Sequence, residues 1–147
     1  KGKAGTFNLD EIRVPQLVEL EHRLRVQKVP SVTNGKFYKT RFNDKGKNPG
    51  DVWGDIKQLT YKSKELISRE LLNTIQKPKK LIERIVKASS KQGELVLDPF
   101  SGVGTTFIVC KELKRNFIGF EINESFVEIS NERIKKEELR QANRLFV

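Results

Sequence analysis

Hydrophobic and polar positions alternate differently in the two halves of this chain. Residues 1–64 contain many turn-forming residues and only weak periodicity, whereas residues 65–147 show regular helical and extended patterns. The segment 77–90 predicts a helix with Pro78 in its first turn. On one face of that helix the spacing places Leu81, Ile82, Ile85, Val86 and Ser89.

The remaining elements of the second half predict an α/β sheet. We expect a buried strand at 94–100 and a second, apolar strand at 116–122, with a helix from about Thr105 to Lys114 between them. A last helix follows, with Asn123 or Ser125 as its cap. Helix, strand, helix, strand, helix at this spacing is typical of a parallel sheet flanked by helices, so the predicted fold class is α/β.

The first half supports shorter predictions. Its pattern predicts a strand from 7 to 14 that Pro15 stops, and an amphipathic helix at 16–27. Asn34-Gly35 predicts a turn followed by a strand, and the Asn, Gly and Pro content of 43–54 predicts a loop.

Composition adds a strongly basic charge to this picture. The chain of 147 residues has a net charge of +10. Residues 1–64 contain 14 Lys and Arg against 7 Asp and Glu, whereas residues 65–147 contain 15 against 12. This asymmetry favours a polyanionic partner at the first half, nucleic acid above all, with a merely basic surface as the alternative.

Several classes of protein are disfavoured. No apolar run approaches the roughly 20 residues of a membrane span, and the first residues lack the apolar region of a secretory signal. One Cys and one His exclude an internal disulfide and a tetrahedral zinc site, so no metal is expected. The lone Cys110 suits a reducing, cytoplasmic location. The chain starts at Lys1 and lacks Met, so we expect it to be the C-terminal part of a longer protein.

The stretch "LVLDPFSGVGTT" carries the candidate chemistry. In a parallel α/β sheet a ligand binds beyond the carboxyl ends of the strands, which is where this turn lies. Gly102 and Gly104 allow close backbone approach, and Asp98 ends the strand with a carboxylate. The next strand ends in Glu121, which could accept hydrogen bonds from ribose hydroxyls. These features predict a nucleoside cofactor site, with an ordinary strand-to-helix turn as the alternative.

The details of this turn favour S-adenosylmethionine over NAD. The dinucleotide pattern needs a third glycine, but position 107 is Phe. Asp98 would repel a pyrophosphate and would suit the ammonium of an amino-acid group instead. A P-loop is excluded, because no Gly-Lys-Ser/Thr follows at the required spacing. A dinucleotide-dependent oxidoreductase remains the alternative from another class.

Several motifs resemble those of amino-group DNA methyltransferases. "DPFSGVGTT" resembles motif I, "NTIQKPKKLIERIV" resembles motif X with Ile75 in place of the usual Thr, and "NFIGFEIN" resembles motif II. "KNPGDVW" resembles the segment before motif X, and "TFNLDEIRVP" the start of the target-recognition region. The resemblance covers residues 6–14 and 47–134, and motif X before motif I is the permuted β arrangement.

This resemblance implies a Rossmann-like methyltransferase fold that binds S-adenosylmethionine, only part of it in this chain. Asp98 would meet the methionine ammonium, Thr105 or Thr106 its carboxylate, and Glu121 the ribose. The cofactor-binding residues implied are Gln76, Lys77, Pro78, Asp98, Phe100, Ser101, Gly102, Gly104, Thr105, Thr106 and Glu121. In this arrangement the catalytic Pro-Pro loop precedes everything seen here. The chain has no Pro-Pro pair, so no catalytic residue is assigned. Cys110 is expected in the core and not as a nucleophile.

The implied substrate is double-stranded DNA. Residues 1–64 would form the basic target-recognition region and residues 65–147 the cofactor-binding region. The DNA-binding candidates are Arg23, Arg25, Lys28, Lys36, Lys39 and Arg41. We expect methylation of a flipped base in a restriction-modification context, adenine N6 ahead of cytosine N4. The second hypothesis is a non-catalytic subunit whose catalytic loop comes from another polypeptide. A homodimer and a cognate restriction endonuclease are further expected partners.

Overall fold

A computed structural model of the chain describes residues 5–15, 31–33, 36–38, 43–67 and 76–144. Two compact units are present, one formed by Leu9–Trp53 and the other by Lys1–Asn8 together with Gly54–Val147. None of the helices in the described ranges is long and apolar enough to cross a membrane.

The unit Leu9–Trp53 contains a small hairpin. Strand β1, Ser31–Thr33, pairs antiparallel with strand β2, Lys36–Tyr38, with Val32 opposite Phe37. The strand predicted after Asn34-Gly35 is therefore confirmed, and its partner β1 was not predicted. The loop predicted for 43–54 is also confirmed, apart from one bridge at Lys47. The helix predicted at 16–27 lies outside the described residues.

The strand predicted for residues 7–14 is wrong. A 3₁₀ helix spans Leu9–Ile12, and Val14 alone pairs in a single bridge, with Lys47. The Asp10 carboxylate accepts a hydrogen bond from Arg13 Nε at 2.7 Å and from Lys45 Nζ at 2.6 Å. The Asp10–Arg13 ion pair joins side chains three residues apart, a spacing that a helical turn brings together. Both cations lower the pKa of Asp10.

The second unit contains the predicted α/β elements in the predicted order. They are helix α1, Lys79–Ser89; strand β3, Leu95–Asp98; helix α2, Thr105–Glu112; strand β4, Asn116–Gly119; and helix α3, Glu124–Arg144. Strands β3 and β4 are parallel, with Leu95 opposite Asn116 and Asp98 opposite Gly119. The predicted α/β class with parallel strands flanked by helices is confirmed. Asn123 Oδ1 accepts a hydrogen bond from Ser125 N at 3.0 Å, the cap expected for the last helix.

The core lies between the helices and one face of this strand pair. Its buried centre is Val86, Val109 and Cys110, and the partly buried residues around it are Ile82, Val96, Leu113 and Phe117. Phe117 also stacks on Phe107, with ring centroids 4.7 Å apart. The prediction that Cys110 is a core residue is confirmed.

The burial predicted for the first strand, β3, is wrong. Side chains alternate along a strand, and only Val96 and Phe117 face the core cluster. On the opposite face Leu95, Leu97 and Ile118 are 59%, 61% and 47% exposed. We call these three residues the open sheet face.

The apolar face predicted for α1 is also only partly correct. Ile85 and Ser89 are exposed, and Arg84 is buried in their place. Arg84 forms two hydrogen bonds to the Asp55 carboxylate, at 3.0 and 2.6 Å, and this pairing permits burial of a charged side chain. Hydrogen bonds from Arg84 and from Lys80 lower the pKa of Asp55.

Candidate functional site

The glycine-rich loop, residues 99–104, joins β3 to α2 at the carboxyl ends of both strands. Phe120 N donates to the Asp98 carbonyl at 3.0 Å, and Ser101 N donates to the Phe120 carbonyl at 2.9 Å. Ser101 Oγ reaches the same carbonyl at 3.1 Å. These bonds join the loop to the end of β4, so both strand ends contribute to one site.

Asp98 holds the loop from its N-terminal side. Its Oδ1 accepts a hydrogen bond from Phe100 N at 3.1 Å, and its Oδ2 accepts one from Thr106 Oγ1 at 2.5 Å. Thr106 lies in the first turn of α2, where the partial positive charge of a helix favours a carboxylate. Each carboxylate oxygen has a further lone pair, so Asp98 can still accept a hydrogen bond from a ligand.

Glu121 holds the loop from the other strand. Its Oε2 accepts a hydrogen bond from Gly102 N at 2.8 Å, and its Oε1 accepts one from Asn123 N at 2.9 Å. The bond to Gly102 spans 19 residues of sequence. The two acids predicted from the sequence are therefore anchored to the same short loop.

Two glycines of the loop adopt left-handed backbone angles, with φ of 53° at Gly102 and 75° at Gly104. Such angles are strained for residues that carry a Cβ. At Gly104, a Cβ would also overlap the Ser130 hydroxyl and come within 3.3 Å of the Phe107 ring. Gly104 is thus required both by conformation and by the close approach of α3.

One cavity of about 250 Å³ opens beside Asp98, and we call it the Asp98 cavity. Its lining includes eight of the predicted cofactor-binding residues: Gln76, Lys77, Asp98, Phe100, Ser101, Gly102, Thr105 and Thr106. Ile82 and Val103 complete it. The Asp98 carboxylate, the Lys77 ammonium and the Thr105 hydroxyl can together bind a group that carries both an ammonium and a carboxylate.

A second cavity of about 610 Å³ opens beside Glu121, and we call it the Glu121 cavity. Its other lining residues are largely apolar: Pro99, Phe100, Gly119, Phe120, Ile122 and Val127. Apolar walls with one carboxylate suit a flat aromatic ring joined to a group with hydroxyls. Phe100, which is 87% exposed, lines both cavities.

Three predicted site residues have structural contacts that the sequence did not indicate. Gln76 accepts a hydrogen bond from Ile67 N at 3.0 Å and donates one to the Glu65 carbonyl at 2.6 Å. Its amide is thus engaged with backbone, although it lines the Asp98 cavity. Pro78 is the N-cap residue of α1, and Gly104 that of α2; neither is among the residues that line the Asp98 cavity or the Glu121 cavity.

The predicted DNA contacts fall mostly outside the described residues. Lys36 opens β2, where its backbone lies opposite Thr33. The other five, which lie outside the described ranges, are Arg23, Arg25, Lys28, Lys39 and Arg41. These assignments remain predictions.

Residues of α3 and of the strand ends support the site without having been predicted. Ile122 and Val127 line the Glu121 cavity, and Arg133 donates a hydrogen bond to the Val103 carbonyl. The position of Ile122 directly after the predicted acid was a usable signal. Arg133 lies 30 residues from Val103, and no local pattern indicates that contact.

Cys110 is unsuited to a nucleophilic role. The side chain has no exposed surface, and burial raises the pKa of its thiol to about 11. Only a thiolate is an effective nucleophile, so the predicted packing role agrees with this pKa.

Comparison with known proteins identifies related sequences over most of the chain. A family model described as DNA methylase, for the N6 and N4 enzymes, matches residues 1–132. The chain is 38% identical over 135 residues to the type II methyltransferase M.HpaI of Haemophilus parainfluenzae, which covers 92% of this chain and 35% of that protein. It is 40% identical over 132 residues to the type II methyltransferase M1.MboII of Moraxella bovis, and the matched residues cover 89% of this chain and 49% of that protein.

A third relative is the DNA adenine methyltransferase YhdJ of Escherichia coli strain K12. It is 40% identical over 88 residues, which cover 60% of this chain and 28% of that protein. The chain thus spans between about a quarter and a half of the length of these three relatives.

Proposed function

The chain belongs to the family of N6 and N4 DNA methylases, and from this premise we propose that it forms the S-adenosylmethionine-binding region of a DNA amino-methyltransferase. The observation that carries the proposal is the pair of acids on one loop. Asp98 and Glu121 each anchor the glycine-rich loop, and each faces one of two cavities that share Phe100.

The residues present fit this cofactor. The Asp98 carboxylate can accept hydrogen bonds from the methionine ammonium, while Lys77 and the Thr105 hydroxyl can donate to the methionine carboxylate. The Thr106 hydroxyl already donates its proton to Asp98. The Glu121 carboxylate can accept hydrogen bonds from the two ribose hydroxyls, and the apolar walls beside it can cover the adenine. Left-handed glycines let the loop backbone approach the ligand closely.

S-adenosylmethionine, when bound, supplies a methyl group on a positively charged sulfur. The residues of this chain would contribute binding and orientation, since a ligand held in a fixed position reacts as if at high effective concentration. Phe100 would separate the adenosine end from the amino-acid end and keep water from the space between them. No residue of the chain is assigned to contact the target amine.

We propose that the substrate is double-stranded DNA and that the methylated atom is adenine N6. The basic first half supports a DNA partner, with Arg23, Arg25, Lys28, Lys36, Lys39 and Arg41 as candidate phosphate contacts. The name of the relative YhdJ supports adenine, and the type II names of M.HpaI and M1.MboII support a restriction-modification context. In this proposal residues 1–64 recognise the target and residues 65–147 bind the cofactor. A DNA substrate would place the enzyme in the cytoplasm, with a cognate endonuclease as its counterpart.

Calorimetric titration of the chain with S-adenosylmethionine and, separately, with NAD tests the cofactor. We expect saturable binding of S-adenosylmethionine only. NAD is disfavoured because Asp98 lies where a pyrophosphate would otherwise sit at the start of α2. Binding of NAD alone would contradict the proposal.

A second candidate function is a cofactor-binding subunit that a partner polypeptide completes. The open sheet face is where a further polypeptide segment would pack, because parallel strands are usually covered on both faces. The test measures transfer of labelled methyl groups to duplex DNA by this chain alone and after addition of the N-terminal part of a relative. Activity only in the mixture would show that a second polypeptide can complete the site, whereas activity of the chain alone would exclude this candidate.

A further inference from the structure

The contact between helix α3 and the glycine-rich loop carries a further inference. Arg133, from the middle of α3, donates a hydrogen bond through Nη1 to the Val103 carbonyl. The same nitrogen lies 3.5 Å from Thr105 Oγ1. One guanidinium therefore contacts both sides of Gly104, whose left-handed angle sets the turn into α2.

Arg133 is positioned by a backbone carbonyl and a hydroxyl of the loop region. Within the described ranges its guanidinium has no ion pair within 4.0 Å. Burial lowers the pKa of Arg133, and the charge of Glu65 raises it. A partly buried cation directed at a backbone carbonyl forms a charge-assisted hydrogen bond, which is stronger than a neutral one.

Ser130 lies one turn earlier on α3 and packs against the same glycine. Its hydroxyl is buried and has no hydrogen-bond partner among the described residues. A Cβ at Gly104 would overlap this hydroxyl. Helix α3 therefore packs against Gly104 through Ser130, and through Arg133 it contacts the residues on either side of that glycine.

From these contacts we infer that Arg133 is a positioning residue of the cofactor site, which fixes the glycine-rich loop in its binding conformation before the cofactor arrives. Val103 and Thr105 both line the Asp98 cavity, so their positions shape the space proposed for the amino-acid end. This inference rests on the proposed function, since it assigns a role at the same site. A loop that is already ordered loses less conformational entropy on binding its ligand.

The test compares Arg133→Met, Arg133→Lys and two controls on α3. Lys136→Met removes an exposed cation that forms an ion pair with Glu132 at 3.7 Å, and Lys135→Met removes a second exposed cation of the same helix. Calorimetry gives the Kd for S-adenosylmethionine at a temperature where each variant is folded. The amide resonances of Gly102 and Gly104 report the loop conformation without ligand.

We expect Arg133→Met to weaken binding by about tenfold and to shift or broaden both glycine resonances, because a charge-assisted hydrogen bond is lost. Arg133→Lys keeps the charge and should recover part of the affinity. Both controls should bind as the unaltered chain does. If Arg133→Met proves unfolded, Arg133→Lys alone should still show a weaker Kd and shifted resonances.

Two results would overturn the inference. One is unchanged glycine resonances in Arg133→Met, which would show that the loop does not depend on the guanidinium. The other is an unchanged Kd with only a lower Tm, which would indicate a purely structural role. If the unaltered chain fails to bind S-adenosylmethionine, the proposed function fails, and the ligand-free resonances still decide whether Arg133 fixes the loop.

Discussion

The two cavities on either side of Phe100 differ in size, in wall chemistry and in how their carboxylate is held. The Asp98 cavity, of about 250 Å³, is the smaller and is lined by more polar side chains, and Asp98 is bound by residues of its own loop and helix. The Glu121 cavity, of about 610 Å³, has Glu121 as its one charged lining residue, and Glu121 is bound both by the nearby Asn123 amide and by a loop amide that precedes it by 19 residues. The Asp98 half of the site is therefore built locally, whereas the Glu121 half also depends on strand pairing.

This difference indicates what each half can recognise. A compact polar cavity can position a zwitterion through individual hydrogen bonds, whereas an open apolar cavity recognises a flat ring mainly by contact area. Substitutions in the two cavities should therefore weaken the recognition of different parts of the same ligand. Four substitutions test that division, and the first, in the glycine-rich loop, should have the greatest effect.

Gly104→Ala should abolish the site as a whole. The left-handed backbone and the overlap with Ser130 should together lower the free energy of unfolding by about 2–4 kcal/mol. Urea denaturation measures this loss, and cofactor binding should disappear with it. Gly93→Ala is the matched control, because Gly93 also has a positive φ but open space around it. Equal losses in both variants would contradict the close packing against α3.

Glu121→Ala should weaken S-adenosylmethionine binding by about a hundredfold. The substitution removes an acceptor proposed for the ribose and also the acceptor for Gly102 N. Calorimetry measures the Kd, and Glu128→Ala serves as the control, because Glu128 lies on the exposed surface of α3. An unchanged Kd in Glu121→Ala would contradict the proposal that Glu121 binds the ribose of the cofactor.

Asp98→Asn should weaken S-adenosylmethionine binding by about tenfold, because it removes the charge that faces the ammonium but keeps the shape and one acceptor oxygen. The same variant should bind methylthioadenosine, which lacks the amino-acid part, with unchanged affinity. Glu121→Ala should weaken both ligands. Equal weakening of both ligands by Asp98→Asn would show that the cavities do not divide the ligand as proposed.

Phe100→Ala should weaken binding several-fold while changing the free energy of unfolding by less than about 0.5 kcal/mol, because the ring is 87% exposed. Calorimetry and urea denaturation on the same samples separate these effects. Phe7→Ala provides an exposed aromatic outside both cavities. An equal loss of affinity in Phe7→Ala would contradict a direct contact between Phe100 and the ligand.

The parts of the site that follow from local chemistry could be predicted from the sequence. A carboxylate at a strand end, glycines in the following turn and an acid at the next strand end are short patterns with a direct physical reason. The parallel order followed from the alternation of helical and extended segments. The core position of Cys110 could also be predicted, because Cys110 lies within an apolar helical segment.

Residues that depend on distant partners could not be predicted. Gln76 is engaged by backbone at Glu65 and Ile67, and Arg133 is engaged by Val103. Neither partner forms a local pattern with its residue. The burial of Arg84 likewise depends on Asp55, 29 residues away. The strand predicted for 7–14 failed because ion pairs of Asp10 favour a helical turn over a pattern that suggested alternation.

A titration of the ¹⁵N-labelled chain with S-adenosylmethionine, followed by NMR, would decide whether the two cavities form one cofactor site. We predict that the amides of Phe100, Gly102 and Thr106, beside Asp98, shift together with those of Ile122 and Asn123, beside Glu121. Both groups should saturate with one Kd, because a single ligand would fill both cavities. Saturable shifts confined to one cavity, or shifts elsewhere in the chain, would contradict the claim that these cavities form one cofactor site.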